Sequence, residues 1–226
     1  MQLKNKDVTL VKYEYLLWDL DGTLTDSGRG IINAVKYALK QYGIEENDMA
    51  TLRSFIGPPL VASFSSIYGF DKEKALEAVA HYRTYYSAGG LFENDVYPGI
   101  AELLEELQKS GYKNIMATSK PEKFSFQIME HFGLDKYFYL MAGATETQER
   151  IEKEEVIEYA LKKAGIVDRS QCIMIGDRKF DIFGAKINGL KSVGVLYGYG
   201  SREELEKAGA DYIVETVGEL RRFLFE

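Results

Sequence analysis

The sequence predicts an α/β fold: an open parallel sheet, Rossmann-like in layout, carrying an inserted all-helical domain. Three observations predict it. Short apolar runs at residues 13–20, 114–117, 172–175 and 192–196 alternate with helix-period segments, as buried parallel strands and crossover helices do. Residues 26–97 break that rhythm with helical patterns and no strand signal. The 226-residue length is about one and a half domains against a prior of ~150 residues each. Setting residues 26–97 aside as a cap leaves a core of residues 1–25 and 98–226, the size of one ordinary α/β domain.

The first strand signal, residues 13–20, is apolar and aromatic and stops at the turn residues Asp21-Gly22-Thr23. Helical patterns follow at residues 30–41, 59–67 and 72–86, and Tyr97-Pro98-Gly99 closes the block. A helix at 100–108 ends before Ser110-Gly111. The next begins with Pro121 and stops at Gly133, and a third, at 154–164, stops at Gly165. Gly198-Tyr199-Gly200 reads as a loop turn, and Ser201 with Glu204 as a capping box in which each side chain closes an open backbone N–H.

Composition excludes several function classes. With 28 basic against 35 acidic residues the net charge is -7, the wrong field for a nucleic-acid polymer. Apolar runs fall far short of the ~18 residues that span a bilayer, so no membrane partner is expected. The single cysteine, Cys172, suits a reducing cytoplasm and packs in a central strand. A cytoplasmic monomer is the default expectation. His81 and His131 lie in helical segments and read as structural.

In open α/β sheets ligands bind beyond the carboxyl ends of the strands. Asp19 and Asp21 follow the first strand, Thr118, Ser119 and Lys120 the second, and Gly176, Asp177 and Asp181 the third. Carboxylates brought together there repel, by roughly 4 kcal/mol for a pair ~4 Å apart at an effective dielectric of 20. Oxygen ligands without paired His or Cys favour Mg²⁺ as the neutralising ion, and such sites usually serve phosphate chemistry.

Three segments carry a resemblance. Trp18-Asp19-Leu20-Asp21-Gly22-Thr23-Leu24-Thr25-Asp26-Ser27, Ile115-Met116-Ala117-Thr118-Ser119-Lys120 and Ile173-Met174-Ile175-Gly176-Asp177-Arg178-Lys179-Phe180-Asp181 resemble motifs one, two and four of the haloacid dehalogenase-like superfamily. They stand in that family's order, and the pattern is similar to its phosphoglycolate phosphatase-like and 5′-nucleotidase-like branches. The resemblance implies that Asp19 attacks phosphorus and that Asp21 serves as acid and base. It implies Mg²⁺ bound by Asp19, the Asp21 backbone carbonyl, Asp177 and Asp181, the last directly or through water. Thr118 would bind phosphate, helped by Ser119, Gly22 and neighbouring backbone N–H groups. Lys153 fits motif three, with Arg150 as competitor, since the usual Gly-Lys-Pro wording is absent.

Residues 26–97 match the family's helical cap, and Arg53, Gly57 and Pro58 fall on the loop that would hang over the site and set specificity. The expected function is Mg²⁺-dependent hydrolysis of a small phosphorylated metabolite, phosphoglycolate- or nucleoside monophosphate-like, through an aspartyl-phosphate. A phosphomutase of the β-phosphoglucomutase type is the alternative, and a catalytically silent binding module a more remote one. Asp21 argues against a dehalogenase, which needs neither an acid/base nor a metal.

Overall fold

The computed structural model describes residues 13–145 and 150–226. Strand β1 (Tyr15–Trp18) runs through a tight turn into the two-residue β2 (Thr25–Asp26). Helices α1 (Gly28–Lys40), α2 (Met49–Arg53), α3 (Leu60–Tyr68) and α4 (Lys72–Ser87) follow, and β3 (Asp95–Val96) returns antiparallel to β2. The remainder alternates helix and strand: α5 (Ile100–Lys109), β4 (Lys113–Pro121), α6 (Glu122–His131), β5 (Phe138–Ala144), α7 (Lys153–Lys163) and β6 (Cys172–Gly176). It ends with α8 (Lys179–Ile187), β7 (Lys191–Val195), α9 (Arg202–Ala208), β8 (Tyr212–Val214) and α10 (Val217–Phe225).

Six parallel strands form one sheet in the order β5-β4-β1-β6-β7-β8. β1 lies inside it, with Tyr15 opposite Lys113 of β4 on one side and Cys172 of β6 on the other. Side chains alternate across β1: Leu16 and Trp18 join the large core shared with α1, α5 and α6, and Leu17 packs with Val156, Ile157 and Met174 beneath α7. The chain thus builds outward from β1 in both directions, and the crevice at such a switch point is where ligands bind.

Two strands of the six-stranded sheet escape the sequence reading, for one reason. β5 and β8 are the sheet's edges, so part of each is only half-buried and they lack the two-faced apolar run of a buried strand. β2 and β3 are missed because two residues carry no period. β4 extends past the expected 114–117 because its backbone pairing with β5 continues, with a register shift, from Thr118 to Pro121.

The capping box at α9 is half formed. Ser201 Oγ accepts from Glu204 N at 3.1 Å, but the Glu204 carboxylate instead accepts from Arg178 Nε and Lys179 N, both at 2.9 Å. Cys172 is buried, and burial is the main reason its thiol is pushed up to about 12. His81 and His131 pack on the rings of Tyr42 and Phe92. Among the described residues no helix is long and apolar enough to cross a membrane.

β1 is pinned to β4 by a buried bond from Trp18 Nε1 to Asn114 Oδ1 (3.0 Å), and Asn114 Nδ2 donates to Tyr137 O (3.1 Å). Asn114→Leu, which strands the indole N–H and the Tyr137 carbonyl, is expected to lower stability by about 1–3 kcal/mol in urea unfolding. Adding Trp18→Phe should cost less than the sum of the two single changes, because the stranded donor is then gone.

Candidate active site

The sheet brings the expected residues to one end. Asp19 directly follows β1, and its N–H donates to Ile175 O of β6 at 3.0 Å, so the ladder holds this residue in register. Thr118 lies within β4, Asp177 follows β6, and Asp181 is one turn away in α8. Lys153 opens α7, where the Glu155 carboxylate accepts from the N–H groups of Ile151 and Glu152 and so fixes the helix start. From there Lys153 Nζ reaches 2.7 Å from Asp19 Oδ1 and 2.8 Å from Asp181 Oδ1, and donates to Ala117 O at 3.1 Å. Arg150 is occupied elsewhere: it bonds Gly143 O and Glu122, and stacks on Tyr159. Of the two candidate cations, Lys153 stands beside Asp19.

Asp19, Asp177 and Asp181 are all buried, and each offers an oxygen within 4.8 Å of the other two. Burial raises the Asp19 carboxyl to about 6, with Asp181 and Asp21 adding to the rise against the pull of Lys153. Burial, then repulsion from Asp181 and Asp19, raises Asp177 well above the usual carboxylate range. Burial alone would lower the Lys153 ammonium, but Asp181 and Asp19 more than reverse this and hold it charged. Three carboxylates therefore face one ammonium.

The donor set fits a hard divalent cation. Asp19 Oδ1 and Asp181 Oδ1 are near Lys153 Nζ yet receive no aligned hydrogen bond, so buried lone pairs are left over for an ion. The remaining oxygens are held in place: Arg178 N donates to Asp181 Oδ2 at 3.0 Å and Tyr199 N to Asp177 Oδ2 at 2.7 Å. Space for the cluster depends on two glycines. A Cβ on Gly176 would lie 2.2 Å from Asp181 Cγ, and one on Gly22 would lie 2.3 Å from Asp177 Oδ2.

Gly22 accordingly plays a different part from the one expected. Its N–H closes the turn onto Thr25 O at 2.8 Å and so is not offered to phosphate. Its role is the close approach of Asp177, with a positive φ of 83° that other residues seldom adopt. The Asp21 carboxylate stands outside the acidic triad and takes both oxygens to Lys120 Nζ, at 2.8 and 3.0 Å. Thr118 Oγ1 accepts from Lys120 N at 3.2 Å, and α6 starts only at Glu122, so Thr118 is not its cap.

A cavity of about 810 Å³ lies between the sheet end and helices α3 and α4. Asp19, Asp21, Thr118, Ser119, Lys120 and Lys153 line its floor, and Gly57 and Pro58 its rim. Arg53 does not line it; the side chain is exposed on α2. The arginines that do are Arg83 of α4 and Arg178, the latter anchored by Glu204 and donating to Ile56 O of the overhanging loop. Sequence reasoning missed both, together with Tyr82 and Tyr86. The available signal was the spacing of Val79, Tyr82, Arg83 and Tyr86, one helical face.

This geometry has relatives. The haloacid dehalogenase-like hydrolase model matches residues 16–195. The chain belongs to that family. A 5′-nucleotidase of Pseudomonas aeruginosa is 44% identical over 214 residues, covering 95% of this chain and 96% of that protein. The tyrosine-protein kinase PtkA of Mycobacterium tuberculosis is 36% identical over 215 residues, covering 93% and 72%. A crystal structure of a predicted phosphatase from Clostridium acetobutylicum superposes with a TM-score of 0.90 at 48% identity, covering 94% of this chain and 98% of that one. In this chain Asp19, Asp21, Thr118, Lys153 and Asp181 line one cavity, and Asp177 lies beside Asp19 and Asp181.

The raised carboxyls fix the sign of a pH effect. A carboxyl raised from 3.8 to about 6 holds its proton better folded than unfolded. The metal-free fold therefore loses stability as pH climbs from about 4 through about 6, and a cation competes with those protons. Mg²⁺ is expected to raise the melting temperature more at about pH 8 than at about pH 5. Asp177→Asn should raise the metal-free midpoint at about pH 8 and abolish the Mg²⁺ response in the same thermal-shift assay.

Proposed function

We propose that this hydrolase is a Mg²⁺-dependent phosphomonoesterase that takes a nucleoside monophosphate or a comparable small phosphorylated metabolite. The observation that carries the reading is the separation of two carboxylates two residues apart. Asp19 is buried beside Lys153, whereas Asp21 lies at the cavity wall with Lys120. Acid and nucleophile need different surroundings, and these carboxylates have them.

Asp19, Asp177 and Asp181 would hold the cation, which when bound offsets the negative charge of the carboxylates and of the phosphoryl oxygens. Lys153 and Thr118 orient the phosphoryl group. An Asp19 oxygen forms a bond to phosphorus as the ester P–O bond breaks, and the leaving oxygen takes that electron pair and a proton from Asp21. Asp21, now a carboxylate, removes a proton from water as the water oxygen bonds phosphorus and the Asp19–phosphorus bond breaks. Inorganic phosphate leaves, and both residues return to their starting states.

The size of the cavity and its aromatic lining support a nucleotide over phosphoglycolate. Tyr82, Tyr86, Phe55, Phe124 and Phe180 all face a space of about 810 Å³, far more than a two-carbon acid fills. The similarity to a protein named 5′-nucleotidase points the same way. A relative named as a kinase leaves water as the phosphoryl acceptor to be tested by product analysis.

Asp19→Asn is expected to lower phosphate release from p-nitrophenyl phosphate with Mg²⁺ by about 10⁴-fold or more. Equal rates in wild type and variant, with and without Mg²⁺, would overturn the reading. Asp21→Asn should cost about 100- to 10,000-fold on an alkyl phosphate and less on p-nitrophenyl phosphate, whose leaving group departs unprotonated. On a substrate panel, nucleoside monophosphates should exceed phosphoglycolate in kcat/KM. A product with its phosphate moved to another carbon would indicate a mutase instead.

A further inference from the structure

Opposite the catalytic carboxylates, helix α4 presents two groups that the phosphate chemistry does not use. The Tyr86 side chain is 2% exposed, and its hydroxyl is buried with no hydrogen-bond partner. The ring is fully engaged: it stacks on Tyr82 at 5.2 Å, meets Phe124 edge-on at 5.5 Å, and lies 4.9 Å beneath Lys120 Nζ. A buried hydroxyl without a partner is unfavourable by itself, and this one belongs to a residue on the cavity wall. Arg83, three residues back on the same face, lines the cavity as well, and no carboxylate among the described residues pairs with it. Lys120, by contrast, is committed to Asp21.

We propose that Tyr86 and Arg83 form the leaving-group subsite. The Tyr86 hydroxyl donates to an oxygen of the substrate alcohol close to the ester, and Arg83 takes an acceptor further out. The alcohol would thus carry both an oxygen near the ester and a planar acceptor-bearing group, as a ribose with a nucleobase does. Three features favour this class. Arg83 can only donate, so its partner must accept. The Tyr82 and Phe124 rings beside Tyr86 suit a flat apolar body over a small hydrated one. Finally, Lys120 joins the two halves, since it contacts both the acid that serves the leaving oxygen and the ring that carries the hydroxyl.

This subsite rests on the phosphomonoesterase reading, and the test separates the two. Wild type, Tyr86→Phe, Arg83→Gln and Arg83→Lys are assayed with Mg²⁺ on a nucleoside 5′-monophosphate and on phenyl phosphate, whose leaving group carries no acceptor beyond the ester oxygen. Tyr86→Phe keeps the ring contacts, and its melting temperature reports whether the fold is kept. The expected result is a fall in kcat/KM of about tenfold to a hundredfold for the nucleotide, with a several-fold smaller fall for phenyl phosphate. Arg83→Gln should raise the nucleotide KM about tenfold while kcat stays within about twofold, and Arg83→Lys should recover part of the loss. Equal losses on both substrates, or no loss on the nucleotide, overturn the subsite and leave the phosphomonoesterase standing. Absence of hydrolysis of either substrate by wild type overturns the phosphomonoesterase and the subsite together.

Discussion

The surroundings of Lys153 govern this molecule. One ammonium stands between Asp19 and Asp181, with Asp177 beside them and almost no solvent to disperse the charge. Each carboxylate pair at such spacing repels by roughly 4 kcal/mol at an effective dielectric of 20. One lysine cannot balance three carboxylates, and burial leaves no cheap alternative. The neighbourhood answers with fixed dipoles: backbone N–H groups of Arg178 and Tyr199 hold one oxygen each, and the Thr23 hydroxyl lies 3.4 Å from Asp177. What these do not offset is an excess of negative charge, which protons on the raised carboxyls or a bound cation would offset.

The same economy of charge separates the two motif-one aspartates. Asp19 and Asp21 are two residues apart, yet each has its own lysine, from a different helix or strand end. Lys153 comes from α7 beneath the sheet and is fully enclosed. Lys120 ends the β4 segment and also meets a cap tyrosine. The two acids still feel each other, since Asp21 adds to the raising of the Asp19 carboxyl. With separate partners, the buried Asp19 faces the Lys153 ammonium while Asp21 faces Lys120 at the edge of the cavity.

Much of this was legible in the sequence because it is local or comes at strand ends. Asp19, Thr118, Asp177 and Asp181 follow apolar runs directly, and an open sheet gathers such positions whatever lies between them. Lys153 was legible from its place at a helix start. Contacts between distant segments were not. Gly198-Tyr199-Gly200 looks like any turn, yet Tyr199 N bonds Asp177 and its hydroxyl bonds Asp26 at 2.5 Å. Glu204 looks like half of a capping box until Arg178 arrives to claim it. Arg53 was expected to face the site by its place in the loop sequence, but a helix turns it outward. Arg83 was overlooked because its face has no meaning until the cap is docked. Edge strands β5 and β8 lack the burial on both faces that marks β1 and β6.

The cap and the chemistry are also less separable than their boundaries in the chain suggest. Two of the side-chain attachments that join them start beside a carboxylate of the acidic triad. Tyr199 holds Asp177 through its backbone N–H, and its side-chain oxygen accepts from Gly28 N, the first residue of α1. Arg178 holds Asp181 through its backbone N–H, and its guanidinium reaches Ile56 O on the loop that rims the cavity. In each residue one end fixes a carboxylate oxygen and the other fixes the cap. Movement of the cap relative to the sheet must therefore break one of these side-chain bonds or pull on the backbone that positions the carboxylates. The loop that rims the cavity and the start of the helical insertion are thus referenced to the carboxylates of the acidic triad, so one wall of the cavity is aligned with a floor contributed by a different part of the chain.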